Sequence, residues 1–566
     1  MVTKKIAFAC LGLVFLVGCK EVVKSNKDTI STIAPPTSGS GSVTHVDIAG
    51  GSPFKHTQAL GDTTADLYYI FTNPNSSAVS GTPSYGQTVG SPAPLAQTME
   101  TPDLGPNLEA YAKAHQIGLR GTSEITAYNA SPPPMYKGTT ASQQATAPLR
   151  SAVGDTFTFY TESNSETAAA TLRAIKTDGT VTVNLWVAND SWTGCVKANC
   201  MTQAMVDALG DKFLTTGANN DIYDWVTNLY GEPWGTQTYS NLIPSTAKTS
   251  IDILFYDISN DNSTTGGILG FFYSKDNYLS TSVSFSNQRL LFYMDSILTA
   301  TKEGTTWGVL DYWPAEMVAT LAHEFQHMIH FYQKNVLLGT SSTSSNSWIH
   351  EMMSMMTEDL VADKILVNGP RGVTYSDYTA GSANNQDGRP SLFNTYPYIS
   401  QAYWANDSYV LARYSINYAF GAWLARNFGG AKLAHQLMVT DGDDTTTVVN
   451  ALASLGYTET YPSLLKKFWA AVLLSSRTDN LAPYIFNTGA AFTSTYGALT
   501  YSLGSINFFN YGTGPTIYTS SNLGTAMSSM PAYSGVMMLA ASGVKGNQTK
   551  TIDMPKGLDL TVVVKP

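Results

Sequence analysis

The string Leu321-Ala-His323-Glu324-Phe-Gln-His327-Met-Ile-His330 sets two imidazoles four residues apart around a glutamate. On a helix, positions i and i+4 project from one face one turn apart, so two such imidazoles can reach a single Zn²⁺ at about 2.0–2.1 Å. Glu324 sits one residue on, offset by about 100° around the helix. There it can meet a water on the ion without binding the ion itself. A chain with eight histidines produces an HExxH string by accident on the order of 0.003 times per sequence. The chemistry indicated is metal-assisted hydrolysis, with His323 and His327 as zinc ligands and Glu324 as the general base that later returns a proton to the leaving amine.

A catalytic zinc takes three protein ligands and keeps one position open, so a third residue is needed. The metzincin pattern asks for Gly at 330 and His at 333; His330 and Gln333 stand there, which excludes that branch. Downstream, Asn346-Ser347-Trp348-Ile-His350-Glu351 opens a second helical segment. It resembles the second zinc helix of the gluzincins, and the resemblance implies Glu351 as third ligand. Glu358, seven residues on and so on the same face, can direct a carboxylate at the back of a ligand histidine; the alternative is an exposed helix carboxylate. His330 and His350 are alternatives to Glu351 as ligand, and His350 is also a candidate donor to the oxyanion.

The string Thr320–His330, together with Trp348-Ile-His-Glu351 and Glu358-Asp359-Leu360, resembles the hyicolysin family of bacterial metallopeptidases. More diffuse similarity takes in Val153-Gly-Asp-Thr-Phe, Ser286-Asn287 and the helix 414–429, so that it spans about residues 150–430. Membership implies a zincin-like core, a mixed sheet with a zinc helix and a helical second subdomain, and peptide-bond hydrolysis with one catalytic Zn²⁺. One position departs from the pattern: Met352 follows Glu351 where Gly is usual. Gluzincins often supply an oxyanion donor from the region of the aromatic helix, which makes Tyr414 the candidate here, with Tyr418 second and a structural tyrosine the alternative. The absence of a Gly-x-Met-Glu-Asn string favours an endopeptidase over an aminopeptidase.

These groups need rigid elements behind them. Val318, Leu321, Phe325, Met328 and Tyr332 recur at helical spacing, and Pro314 suits a first turn. Before them come strand signals at 156–160, 170–175, 181–187 and 251–255, and a run at 289–298 read either as a core strand or as one that binds extended substrate. From 313 to about 471 helices dominate, broken by a loop at 368–407 rich in Gly, Pro, Asn and Tyr. The reading is α+β: a metallopeptidase domain at 151–480, a β-rich N-terminal domain and linker at 46–150 and a C-terminal β-domain at 481–566. Asp257, Asn260, Asp261 and Asn262 form an oxygen-rich stretch, read as a turn with calcium as the alternative.

At 566 residues, 13% charged and 43% apolar, the chain is long enough for two or three domains and too apolar for disorder. Its 32 basic and 42 acidic residues give a net charge of -10, which argues against a nucleic-acid partner. Lys4 and Lys5 precede an apolar run at 6–18, too short to span a bilayer and suited to a signal peptide at 1–18. Leu16-Val17-Gly18-Cys19 resembles the bacterial lipobox, which implies a lipid on Cys19 and a place on the outer membrane or cell surface; the stretch at 19–45, rich in Ser, Thr, Lys, Gly and Pro and without hydrophobic periodicity, reads as a flexible tether. Cys195 and Cys200 then remain to pair in an oxidising compartment, the alternative being a metal or redox pair. The expected partner is a protein or peptide substrate, the expected state a monomer. The competing functional reading is an adhesin with a peptidase-like body.

Overall fold

The computed structural model describes residues 31–33, 41–46, 54–85, 118–138, 152–341, 346–405 and 409–566. The expected signal peptide at 1–18 and Cys19 lie outside them. No helix among the described residues is long and apolar enough to cross a membrane.

The central element is a seven-stranded sheet. In chain order its strands are β3 (Gly118–Arg120), β4 (Thr156–Tyr160), β5 (Thr167–Thr177), β6 (Thr182–Ala188), β7 (Ser250–Tyr256), β8 (Gly267–Phe272) and β9 (Leu290–Asp295). Two strands from the terminal segments, β1 (Ser42–Val46) and β2 (Ala65–Asn73), belong to another sheet. The spatial order is β3-β8-β9-β7-β6-β5-β4. Strands β6, β7 and β9 run parallel, and β8 runs antiparallel to β9. The strands β7, β8 and β9 are buried almost throughout, the expected state of a sheet covered on both faces. The run at 289–298 is therefore an interior strand, and the strand beyond it towards the sheet edge is β8.

The helices that bear on the site and its packing are α1 (Ser123–Ala130), α2 (Gln203–Phe213), α3 (Ile222–Tyr230), α4 (Tyr312–His330), α5 (Ser347–Ile365), α6 (Arg389–Thr395), α7 (Val410–Asn427), α8 (Ala431–Val439) and α9 (Tyr461–Leu474). Helix α4 packs against β8 and β9, and α5 lies between α4 and α7. Gly270 sets the distance of α4 from the sheet: a Cβ there would stand 2.9 Å from Thr320 Cγ2 and 2.7 Å from the Tyr293 carbonyl. The stretch 368–407, expected as one long loop, contains α6.

The terminal segments depart from the expected pair of separate domains. Strands β10 (Phe492–Tyr496) and β11 (Leu499–Leu503) form a hairpin, and β11 packs on α5. The strands β12 (Ile517–Tyr518), β13 (Ser534–Val544) and β14 (Asp559–Lys565) join β1 and β2 in one sheet ordered β12-β13-β2-β14-β1. Alternation in β2 explains the joint construction. Tyr69 and Phe71 enter the apolar core that the terminal strands share, whereas Tyr68 and Ile70 face the main core containing α9. Neither terminus can bury both faces alone. The presumed linker is also docked in part: Pro133 and Pro134 carbonyls accept hydrogen bonds from Tyr278 Oη and Asn241 Nδ2.

Candidate metal centre

Helices α4 and α5 cross so that His323, His327 and Glu351 meet. His323 Nε2 lies 3.2 Å from Glu351 Oε2, His327 Nε2 lies 3.1 Å from His323 Nε2 and 3.6 Å from Glu351 Oε1. One ligand atom from each residue falls within 4.8 Å of the others, so one ion can touch all three. Glu358 Oε1 lies 2.7 Å from His323 Nδ1; accepting that N–H turns the Nε2 lone pair towards the shared point. Met352, where Gly was the usual residue, points away from this cluster into the α5–α7 contact. Gly421 of α7 makes the room, because a Cβ there would stand 2.9 Å from Met352 Cγ.

Glu324 is buried beside the cluster. Its Oε2 accepts the Phe272 backbone N–H at 2.8 Å, and its Oε1 has no partner. Burial raises its pKa above the ordinary carboxylate value. For Glu351, burial alone would raise the pKa, but the His327 charge and the hydrogen bonds of both histidines hold it down at about 2. Glu358 is likewise held low against burial by Arg120 and His323. Arg120 Nη2 stands 3.6 Å from Glu358 and 3.7 Å from Glu316.

Charge balance separates this cluster from a second group of candidate ligands. Three carboxylates, Glu324, Glu351 and Glu358, gather about His323 and His327, with Arg120 shared between Glu358 and Glu316; such a carboxylate-rich buried group suits a divalent cation. His330 and His350, the alternatives to Glu351, instead gather at Asp443, at 3.3 and 3.2 Å. There Lys334 Nζ stands 3.7 Å from Asp443 and balances it without an ion. The two rings are stacked, 4.0 Å apart and 30° between planes. A metal lies near the plane of each imidazole that binds it, so stacked rings are poorly set to share one.

Tyr414 does not take the expected place. It is buried behind the site, and its hydroxyl is donated to the Arg120 carbonyl at 2.9 Å, so it anchors β3 instead of facing the cavity beside Glu324. Tyr418 is buried near Asp359 and Arg426. Cys195 and Cys200 are bonded, with Cα atoms 5.8 Å apart. Their loop carries Lys197, whose Nζ lies 2.7 Å from Asp257 and 3.2 Å from Asn260 Oδ1. An ammonium thus fills the oxygen-rich stretch where calcium was the alternative. Sequence reading missed Phe272 and Arg120; β8 lacks the alternation that marks a strand, and nothing local to Arg120 points to Glu358.

A profile of the family described as Peptidase M30 matches residues 163–565. The chain belongs to the peptidase M30 family. The family membership agrees with the resemblance carried by the α4 and α5 strings. The neutral metalloprotease ShpI of Staphylococcus hyicus is 28% identical over 299 residues, 52% of this chain and 56% of its own length. The chain therefore spans about half the length of that curated relative. As a family of metallopeptidases, M30 implies a metal, and the two histidines, Glu351 and the unpartnered Glu324 oxygen fit one.

Proposed function

We infer that the protein is a zinc-dependent endopeptidase with Glu324 as its general base. The observation that carries this is the convergence of His323, His327 and Glu351 next to a buried carboxylate with one oxygen unpartnered. Two imidazoles and one carboxylate suit Zn²⁺, a borderline ion that catalytic sites hold with three such ligands. When bound, zinc supplies Lewis acidity, acidifying water and polarising a scissile carbonyl. The Phe272 N–H fixes Glu324 through Oε2, which leaves Oε1 to take a proton from water and pass it to the departing amine. Burial makes Glu324 a stronger base than an exposed carboxylate. Glu358 keeps His323 oriented. The printed name of the relative, a neutral metalloprotease, supports the same reaction class.

Lipid anchoring through Cys19 at the bacterial surface, and a monomeric state, remain part of this proposal and rest on the sequence. The test is metal analysis paired with protein cleavage for wild type and Glu324→Gln. The expected result is about one zinc per chain in both, with chelator-sensitive cleavage falling about 10²–10⁴-fold in the variant. A chain without zinc, or a variant as active as wild type, overturns the assignment.

A further inference from the structure

Peptides commonly bind along the open edge of a sheet, where backbone groups of the edge strand are unpaired. In this protein β8 is the strand above α4, and its Phe272 N–H holds the general base. The outer edge of β8 is not open. Strand β3 pairs with it in parallel, Gly118 against Gly267, Leu119 against Ile268 and Arg120 against Gly270. Just beyond β3, helix α1 walls the catalytic cavity with Ile125, Thr126 and Asn129. Asn129 closes the end of β8: its Nδ2 donates to the Phe272 carbonyl at 2.6 Å and its Oδ1 accepts from Ser274 N at 2.8 Å.

The cavity left beside Glu324, His327 and Glu351 measures about 20 Å³, room for about one water. A far larger cavity of about 800 Å³ opens behind Glu358, but Glu324, His327 and Glu351 do not line it. Among the described residues the metal-facing cavity thus has room for little more than a water, and the covering segment lies upstream of the family match at 163–565. Its docking is incomplete at one point. Arg120 is buried, yet its Nε and Nη1 have no partner.

We propose that residues 118–130 are an autoinhibitory strap, seated on the β8 edge and over the catalytic cavity where an extended peptide substrate binds. The proposal rests on the peptidase reading for its consequence and on the strand pairing for its geometry. Displacing the strap exposes the β8 backbone, the Phe272 carbonyl and Ser274 N–H among it, while Arg389 remains near Glu358 to balance its charge.

The experiment separates the two layers. Asn129→Ala and, independently, Ile125→Ser are introduced into the full chain carrying Glu324→Gln, and binding of a fluorescein-labelled peptide with the sequence of residues 118–131 is followed by anisotropy. At least tenfold tighter binding than to Glu324→Gln alone is expected, and with Glu324 restored the same variants should cleave casein faster than wild type. Tighter binding with no cleavage by any zinc-loaded form leaves the strap standing and overturns the peptidase reading. Unchanged peptide binding by both variants, with zinc content and melting temperature matching the parent, overturns the strap.

Discussion

Replacing Glu358 by Gln keeps the shape of the side chain and removes the charge that faces His323. The 2.7 Å contact from His323 Nδ1 to Glu358 Oε1 is a charge-assisted hydrogen bond, worth about 1.5–3 kcal/mol against about 0.5–1.5 for a neutral one. Gln can still accept the N–H, so the loss is about 1–1.5 kcal/mol, a five- to tenfold weaker hold on zinc. Glu358→Ala removes the acceptor altogether and leaves the buried Nδ1–H unsatisfied, adding about 1–3 kcal/mol. The combined loss of about 2–4.5 kcal/mol is about 30-fold or more, reaching or passing the upper end of the 10–100-fold range known for partners of metal-binding histidines. The assay is zinc competition against a chromophoric chelator. It must be run at one pH: in the metal-free protein burial alone would lower the His323 pKa, but the hydrogen bonds it donates to Glu351 and Glu358 lift it to about 9, so protons compete with zinc. Zinc dissociation constants within twofold of wild type for both variants, with the metal-free fold intact, would refute the reasoning.

Three further outcomes follow from the same geometry. Asp443→Asn should leave zinc at one per chain while lowering stability to denaturant by about 3–5 kcal/mol, because Lys334 loses its buried counter-charge; a drop in zinc content would mean that the His330–His350 group binds metal. Gly421→Ala would force a Cβ to 2.7 Å from Met356 Cγ, so denaturant unfolding should show a loss of about 1–3 kcal/mol from overpacking. The terminal β-sheets should weaken in mild acid. Burial lowers His45 to about 3, with Lys466 and Lys467 adding to it, and lowers His56 to about 4. The unfolded chain therefore binds protons near pH 6.5 that the folded chain refuses, so the stabilisation present above 6.5 is lost as pH falls through 6.5 towards 4 and 3. Hydrogen exchange of β1 and β2 at pH 7 and pH 5 measures it, and equal protection at both would count against buried, neutral histidines.

Sequence alone determined those candidate site residues whose relations are local. His323, Glu324 and His327 lie within two turns of one helix, and Glu351 and Glu358 are two turns apart on the next. Backbone geometry fixes which face they share, and residue spacing reports it directly. Tertiary structure alone decided what meets those faces. Arg120 reaches Glu358 from a strand near residue 120, and Asp443 draws His330 and His350 away from the candidate metal ligands through a loop after α8. Strand β8, which fixes Glu324 through Phe272, is buried on both faces and carries no alternation to betray it. The terminal strands pair across nearly the whole chain, β1 with β14 and β2 with β13. Such pairings depend on complementary surfaces formed by packing, not on any period along the chain, and so do Tyr414's turn towards the Arg120 carbonyl and the seating of residues 118–130 over the cavity beside Glu324.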